Sequence, residues 1–69
     1  MPLITVIGTL LKIAAAYLVV STAEGRKQIP YKEINVLYDG MTLDELIRKR
    51  VKVIIWEDGT MIEVSRPNE

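Results

Sequence analysis

The 69-residue chain contains no cysteine, histidine or phenylalanine. Disulfides, thiolate chemistry, imidazole acid–base catalysis and zinc sites built from the usual ligands are therefore excluded within it. Aromatic side chains are confined to Tyr17, Tyr31, Tyr38 and Trp56, so the core has to be aliphatic. Net charge is also missing. Nine Lys and Arg offset nine Asp and Glu, and the isoelectric point lies near 6.2. Nothing global steers such a chain towards phosphate or anionic lipid, and a basic surface has to be local. What is present is apolar: hydrophobic residues make up 49% of the chain. At this length the chain is one domain, residues 1–69, near the lower limit at which a core supports folding. Residues 66–69 read as a polar C-terminal tail. The wealth of Ile, Val, Lys, Arg and Glu suits a thermophilic source.

One stretch with little charge is "VIGTLLKIAAAYLVVST", residues 6–22, in which Lys12 is the one charged residue. A membrane helix needs about twenty apolar residues. Lys12 near its centre would cost roughly 2.5–3.5 kcal/mol. Two β-branched clusters argue instead for strands: Ile4, Thr5, Val6, Ile7 and Thr9 around Gly8, then Val19, Val20 and Thr22. The segment also lacks the cationic start of a secretory signal. The expectation is two strands, no membrane span and a cytoplasmic protein. Ile4 and Val6 lie one residue out of phase with Leu11 and Ile13, and a bulge at Gly8-Thr9 would restore the phase. Residues 3–13 then form a bent first strand, 14–16 a turn and 17–22 the second strand.

Further on, "AEGRK" reads as a hairpin turn. "QIPYKEINVLY" reads as a third strand in two pieces, because Pro30 has no N–H to give and belongs at an edge or kink. Asp39-Gly40 is a turn. Thr42 with Glu45 three residues on forms a capping box for a helix of about two turns, with Asp44 and Glu45 in its first turn. Arg48, Lys49 and Arg50 fall in its last turn, and Leu43, Leu46 and Ile47 form its buried face. "VKVIIWEDGTMIEVS" closes the chain as a hairpin around Asp58-Gly59.

The order strand, strand, strand, helix, strand, strand, carried by "ITVIGTLLKI", "AYLVVSTAEGRKQIP" and "LDELIRKRVKVIIWEDGTMIEV", resembles the OB-fold. The implied class is mainly β, a small five-stranded Greek-key barrel with one short helix between the third and fourth strands. In layout it is similar to the small OB subunits of replication protein A-type complexes. "GTLLKI", "YLVVS" and "IPYKEI" also resemble Sm-like and other SH3-like barrels, which implies a homo-oligomer as the second reading.

Catalytic constellations are missing. Ser21, Thr22 and Ser65 have no histidine to activate them, and Asp39, Asp44, Glu45, Glu57 and Asp58 stand where turns and helix starts place carboxylates. No enzyme, metal, cofactor or small-molecule substrate is expected. Two binding groups remain. Lys12, Tyr17, Arg26, Lys27, Tyr31 and Lys32 fall on the first three strands, the region that the OB resemblance implies for oligonucleotides; cations track phosphates and tyrosines stack bases. With four aromatics in all, Tyr17 and Tyr31 are better accounted for as plugs of the barrel ends, and the cations as keeping the strands soluble. The second group, Ile7, Leu10, Ile54 and Trp56, shares an outward face and offers an interface for a protein partner or a second copy. The expected function is a non-catalytic assembly module, a small OB subunit of a nucleic-acid-associated complex working through protein contact. Weak binding of single-stranded DNA or RNA is the alternative.

Overall fold

Alternating apolar residues organise the chain into six strands: β1 Ile4–Ile13, β2 Tyr17–Thr22, β3 Gly25–Pro30, β4 Glu33–Leu37, β5 Arg50–Ile55 and β6 Met61–Ser65. The structure is a computed structural model that describes residues 4–56, 59 and 61–68. The strands form one sheet in the order β3-β2-β1-β5-β6-β4. Neighbours are antiparallel except β4 and β6, which run parallel. The fold is thus mainly β, as expected, and the residues read as a possible membrane helix are β1 and β2. No helix among the described residues is long and apolar enough to cross a membrane.

The long strand β1 is the spine. Its first half, Ile4 to Thr9, pairs with β5, and its second half, Thr9 to Ile13, pairs with β2. One side chain in two points inward. Leu10 from β1, Leu18 and Val20 from β2, Ile29 from β3, Val51 and Val53 from β5, and Ile62 and Val64 from β6 make a single buried cluster, against which Ile34 and Val36 of β4 pack. Because all six strands contribute to one core and the molecule measures 28 × 27 × 26 Å, the sheet curls around that core.

The structure corrects the expected layout in four places. First, the described residues form six strands and not five. The third strand is broken between Pro30 and Glu33 into β3, which pairs with β2, and β4, which pairs with β6. Pro30 ends β3 because its nitrogen cannot donate to a ladder. The hydrogen-bonded ladder stays open, and its two edges, β3 and β4, are consecutive in the chain. Second, the helix is a single 3-10 turn, Leu43–Leu46. Leu46 is fully buried beneath the sheet, whereas Ile47 is extended and exposed. The cations Arg48, Lys49 and Arg50 consequently follow the helix and do not belong to it.

Third, the bulge lies at Leu11 and not at Gly8-Thr9: the register of β1 against β2 slips between Leu10 and Lys12. Val6, Gly8 and Leu10 therefore alternate inward without interruption. Leu11 is the extra residue, and Ile13 returns to the core. Fourth, Leu10 is a core residue with no exposed surface, and it leaves the proposed outward face. The slip lies three residues further along β1 than Gly8, which reverses the faces of Leu10 and Leu11.

Gly8 is nonetheless required, for its size. A Cβ at this position would fall on the carbonyl oxygen of Ser21 and 2.8 Å from Val20 Cγ1, so the close approach of β2 to β1 depends on its absence. Gly8→Ala is expected to cost about 2 kcal/mol or more by chemical denaturation, and Gly8→Val more than that. Full stability of the alanine variant contradicts the close approach.

The capping interaction also has a measurable consequence. The Glu45 carboxylate accepts the Thr42 backbone N–H at 2.8 Å and the Thr42 hydroxyl at 3.1 Å. These bonds, the backbone one first, hold its carboxyl below the ordinary value of 4.5. A depressed folded-state value means that the contribution to stability is complete above about pH 4.5 and is lost as the pH falls through the lower folded-state value. Denaturation midpoints measured from about pH 6 down to pH 3 should show a shallower acid loss for Glu45→Gln than for the wild type.

Candidate functional site

Leu11 and Lys12 stand next to each other on the outer side of β1 because of the bulge. In the adjoining rows Lys12 faces Val19 of β2, which in turn faces Gln28 of β3. Ser21 of β2 faces Arg26 of β3, and Tyr17 faces Pro30. Neighbouring strands lie about 4.8 Å apart, so these side chains crowd together. They enclose a groove of about 690 Å³ lined by Leu11, Lys12, Tyr17, Val19, Arg26, Gln28 and Arg48. Its floor is half-buried Leu11 and Val19, and its rim is polar and cationic.

Arg48 reaches the groove from outside the sheet. The Leu10 N–H donates to the Lys49 carbonyl at 3.0 Å, and the Arg48 N–H donates back to the Leu10 carbonyl at 2.6 Å. This reciprocal pair fastens the segment after the 3-10 turn to β1 at the residue preceding the bulge. Lys12, Arg26 and Arg48 have no ion-pair partner among the described residues. The groove therefore carries three cations without an ion-pair partner among the described residues, one aromatic ring and one amide.

Of the six residues expected on this face, Lys12, Tyr17 and Arg26 come together. Lys27 does not: it shares the row of the inward-facing Val20 and forms an ion pair with Glu24 at 3.5 Å. Tyr31 is a structural residue. Its N–H donates to the Ala16 carbonyl at 3.0 Å and its hydroxyl to the Ala14 carbonyl at 3.2 Å, which ties the link between β3 and β4 to the turn between β1 and β2. Lys32 is exposed on that link, outside the groove. Arg48, Gln28, Leu11 and Val19 were not expected. A bulge at Gly8-Thr9 would turn Leu11 to the same face as Ile4 and Val6, and a two-turn helix would hold Arg48 in its last turn, so neither residue carries a sequence signal for this surface.

The apolar group is reduced by the loss of Leu10. Ile7 is 44% exposed and Trp56 37% exposed, with Ile54 half-buried. Thr5 pairs with Ile54 and Ile7 with Lys52, so a cation interrupts the patch. The acidic pair Glu57-Asp58 of the last hairpin lies outside the described residues.

No family model, curated protein or solved structure matches the chain. The chemistry thus has to be read from the side chains themselves. Among the described residues no group of three acidic, His or Cys side chains could hold a metal ion. The charges are segregated along the chain. Residues 33–45 carry four acids, Glu33, Asp39, Asp44 and Glu45, and no Lys or Arg, whereas residues 46–56 carry Arg48, Lys49, Arg50 and Lys52 and no acid. The zero net charge conceals a cationic flank beside β1. Such a groove can hold an anion whose charges are spaced along its length.

The structural role of Tyr31, set against an exposed cation of the groove, can be measured. Tyr31→Phe removes a part-buried hydrogen bond and should cost about 1 kcal/mol in denaturation. Lys12→Ala should stay within about 0.5 kcal/mol of the wild type, as expected for an exposed cation without a partner.

Proposed function

We propose that the chain is a non-catalytic binding module with an OB-like barrel, which holds single-stranded nucleic acid across the outer face of β1, β2 and β3. The observation that carries this reading is the assembly of Lys12, Arg26 and Arg48, all without a counter-charge among the described residues, around Tyr17 in one groove. Cations spaced across strands follow a phosphate backbone, and an aromatic ring beside them stacks a base regardless of its identity. The topology supports the barrel. With β3 and β4 taken as one strand bent at Pro30, the order β3-β2-β1-β5-β6-β4 begins and ends on the same strand. The helical turn between β4 and β5 favours the OB layout over the Sm-like one.

The exposed Ile7 and Trp56 favour a second, compatible role, docking of the module into a larger assembly through the side of β1 and β5 remote from the groove. That contact would hold a protein partner or a second copy.

Titration of a fluorescently labelled oligothymidylate at low salt tests the primary reading. Binding should weaken steeply with salt, with a log–log slope of about −0.7 for each phosphate neutralised. Tyr17→Ser should weaken it by about 1–3 kcal/mol, and Arg26→Ala should weaken it as well. No binding at low salt contradicts the reading.

A further inference from the structure

Residues 46–49 form a tight turn in which the Lys49 N–H donates to the Leu46 carbonyl at 2.9 Å. Ile47, the second residue, has φ −60° and ψ 130°, and Arg48, the third, has φ 74°. These are the angles of a type II turn, whose third position calls for glycine because a Cβ is disfavoured at positive φ. The chain obeys that rule elsewhere. Among the described residues, Gly25, Gly40 and Gly59 occupy three other positive-φ positions, and the remaining one is Asp39, a residue type that tolerates the left-handed region. Arginine has no such local excuse. Its backbone N–H is engaged with Leu10, a bond that glycine would make equally well. What glycine could not supply is a cationic side chain, and Arg48 lines the groove together with Lys12, Tyr17 and Arg26.

We propose that Arg48 is a ligand-binding residue retained where the backbone favours glycine, and that its guanidinium grips a phosphodiester of the strand bound in the groove. This assignment rests on the single-strand reading above. The planar fork of arginine pairs with two phosphate oxygens at once, which a lysine cannot reproduce. The adjoining bulge at Leu11 serves the same end by placing Leu11 and Lys12 together on the outer side of β1. Two backbone irregularities, in segments far apart in the chain and joined through Leu10, thus aim side chains into one groove. Such irregularities concentrate where they re-aim functional groups.

The test combines thermal melting with anisotropy titration of an oligothymidylate of about twelve nucleotides, a length within the site size of single OB modules. Arg48→Gly should melt at or up to about 5 °C above the wild type, since relief of the left-handed backbone offsets the added freedom of the unfolded chain. The same variant should bind about five- to tenfold more weakly, with a log–log salt slope shallower by about 0.7, the loss of one phosphate contact. Arg48→Lys should keep the slope and recover only part of the affinity. If Arg48→Gly binds with wild-type affinity and slope while Lys12→Ala and Arg26→Ala are weakened, the assignment to Arg48 falls and the groove reading stands. A melting temperature of Arg48→Gly lowered by more than about 5 °C also overturns it, because the backbone would then not favour glycine. If the wild type binds no oligonucleotide, both readings fall.

Discussion

The reciprocal hydrogen bonds between Leu10 and the Arg48-Lys49 segment, at 3.0 and 2.6 Å, are the constraint on which the rest of the molecule turns. Leu10 sits where β1 passes from pairing with β5 to pairing with β2. Its side chain is fully enclosed in the core, and its backbone anchors the segment that leads from the 3-10 turn into β5. A chain of this length has little interior to spend. Concentrating core packing, the change of strand partner and the loop anchor on one residue lets a small aliphatic core organise six strands. Gly8 performs the complementary task two residues earlier, admitting the backbone of Ser21 where any side chain would exclude it.

The same junction creates the surface. A regular strand would alternate Leu11 outward and Lys12 inward; the bulge keeps both on the outside, and the anchored turn adds Arg48 next to them. Tyr17 and Arg26 then join from β2 and β3 by ordinary cross-strand pairing. Exposed cations in water are individually cheap and weakly attractive, but several held without counter-charge on one face produce a local field that the net charge of zero does not reveal. The carboxylates of residues 33–45 lie in β4 and in the segment leading through the 3-10 turn, and only Glu24 among the described acids pairs with a cation of the first three strands. Asp39 is engaged with Arg66 at 3.0 Å, fastening the start of the C-terminal tail.

Much of this fold was legible because it rests on local rules. The β-branched clusters identified β1 and β2, Pro30 marked the break in the third strand, and the alternation of Val51, Val53, Ile62 and Val64 placed β5 and β6 correctly. The helix is shorter than the capping box of Thr42 and Glu45 implies, and nothing in the sequence shows that the chain turns immediately after Leu46. A glycine at position 48 would have announced that turn; arginine concealed it. The candidate site was legible only in part for related reasons. Lys12, Tyr17 and Arg26 follow from strand pairing, but a bulge displaced by three residues moves Leu10 from surface to core and Leu11 from core to surface. Tyr31 could not be separated from Tyr17 by residue type, since only the acceptors at Ala14 and Ala16 distinguish them.

On the proposed reading, the outer face of β1, β2 and β3 is the surface that meets the ligand. Two-dimensional amide NMR of the isotopically labelled protein during addition of a short oligothymidylate tests it residue by residue. Resonances of Leu11, Lys12, Tyr17, Val19, Arg26, Gln28 and Arg48 should move together and saturate together, while those of Ile54 and Glu63 on the side of β5 and β6 remain in place. Shifts centred on Ile7, Ile54 and Trp56 with the groove residues unmoved would contradict it.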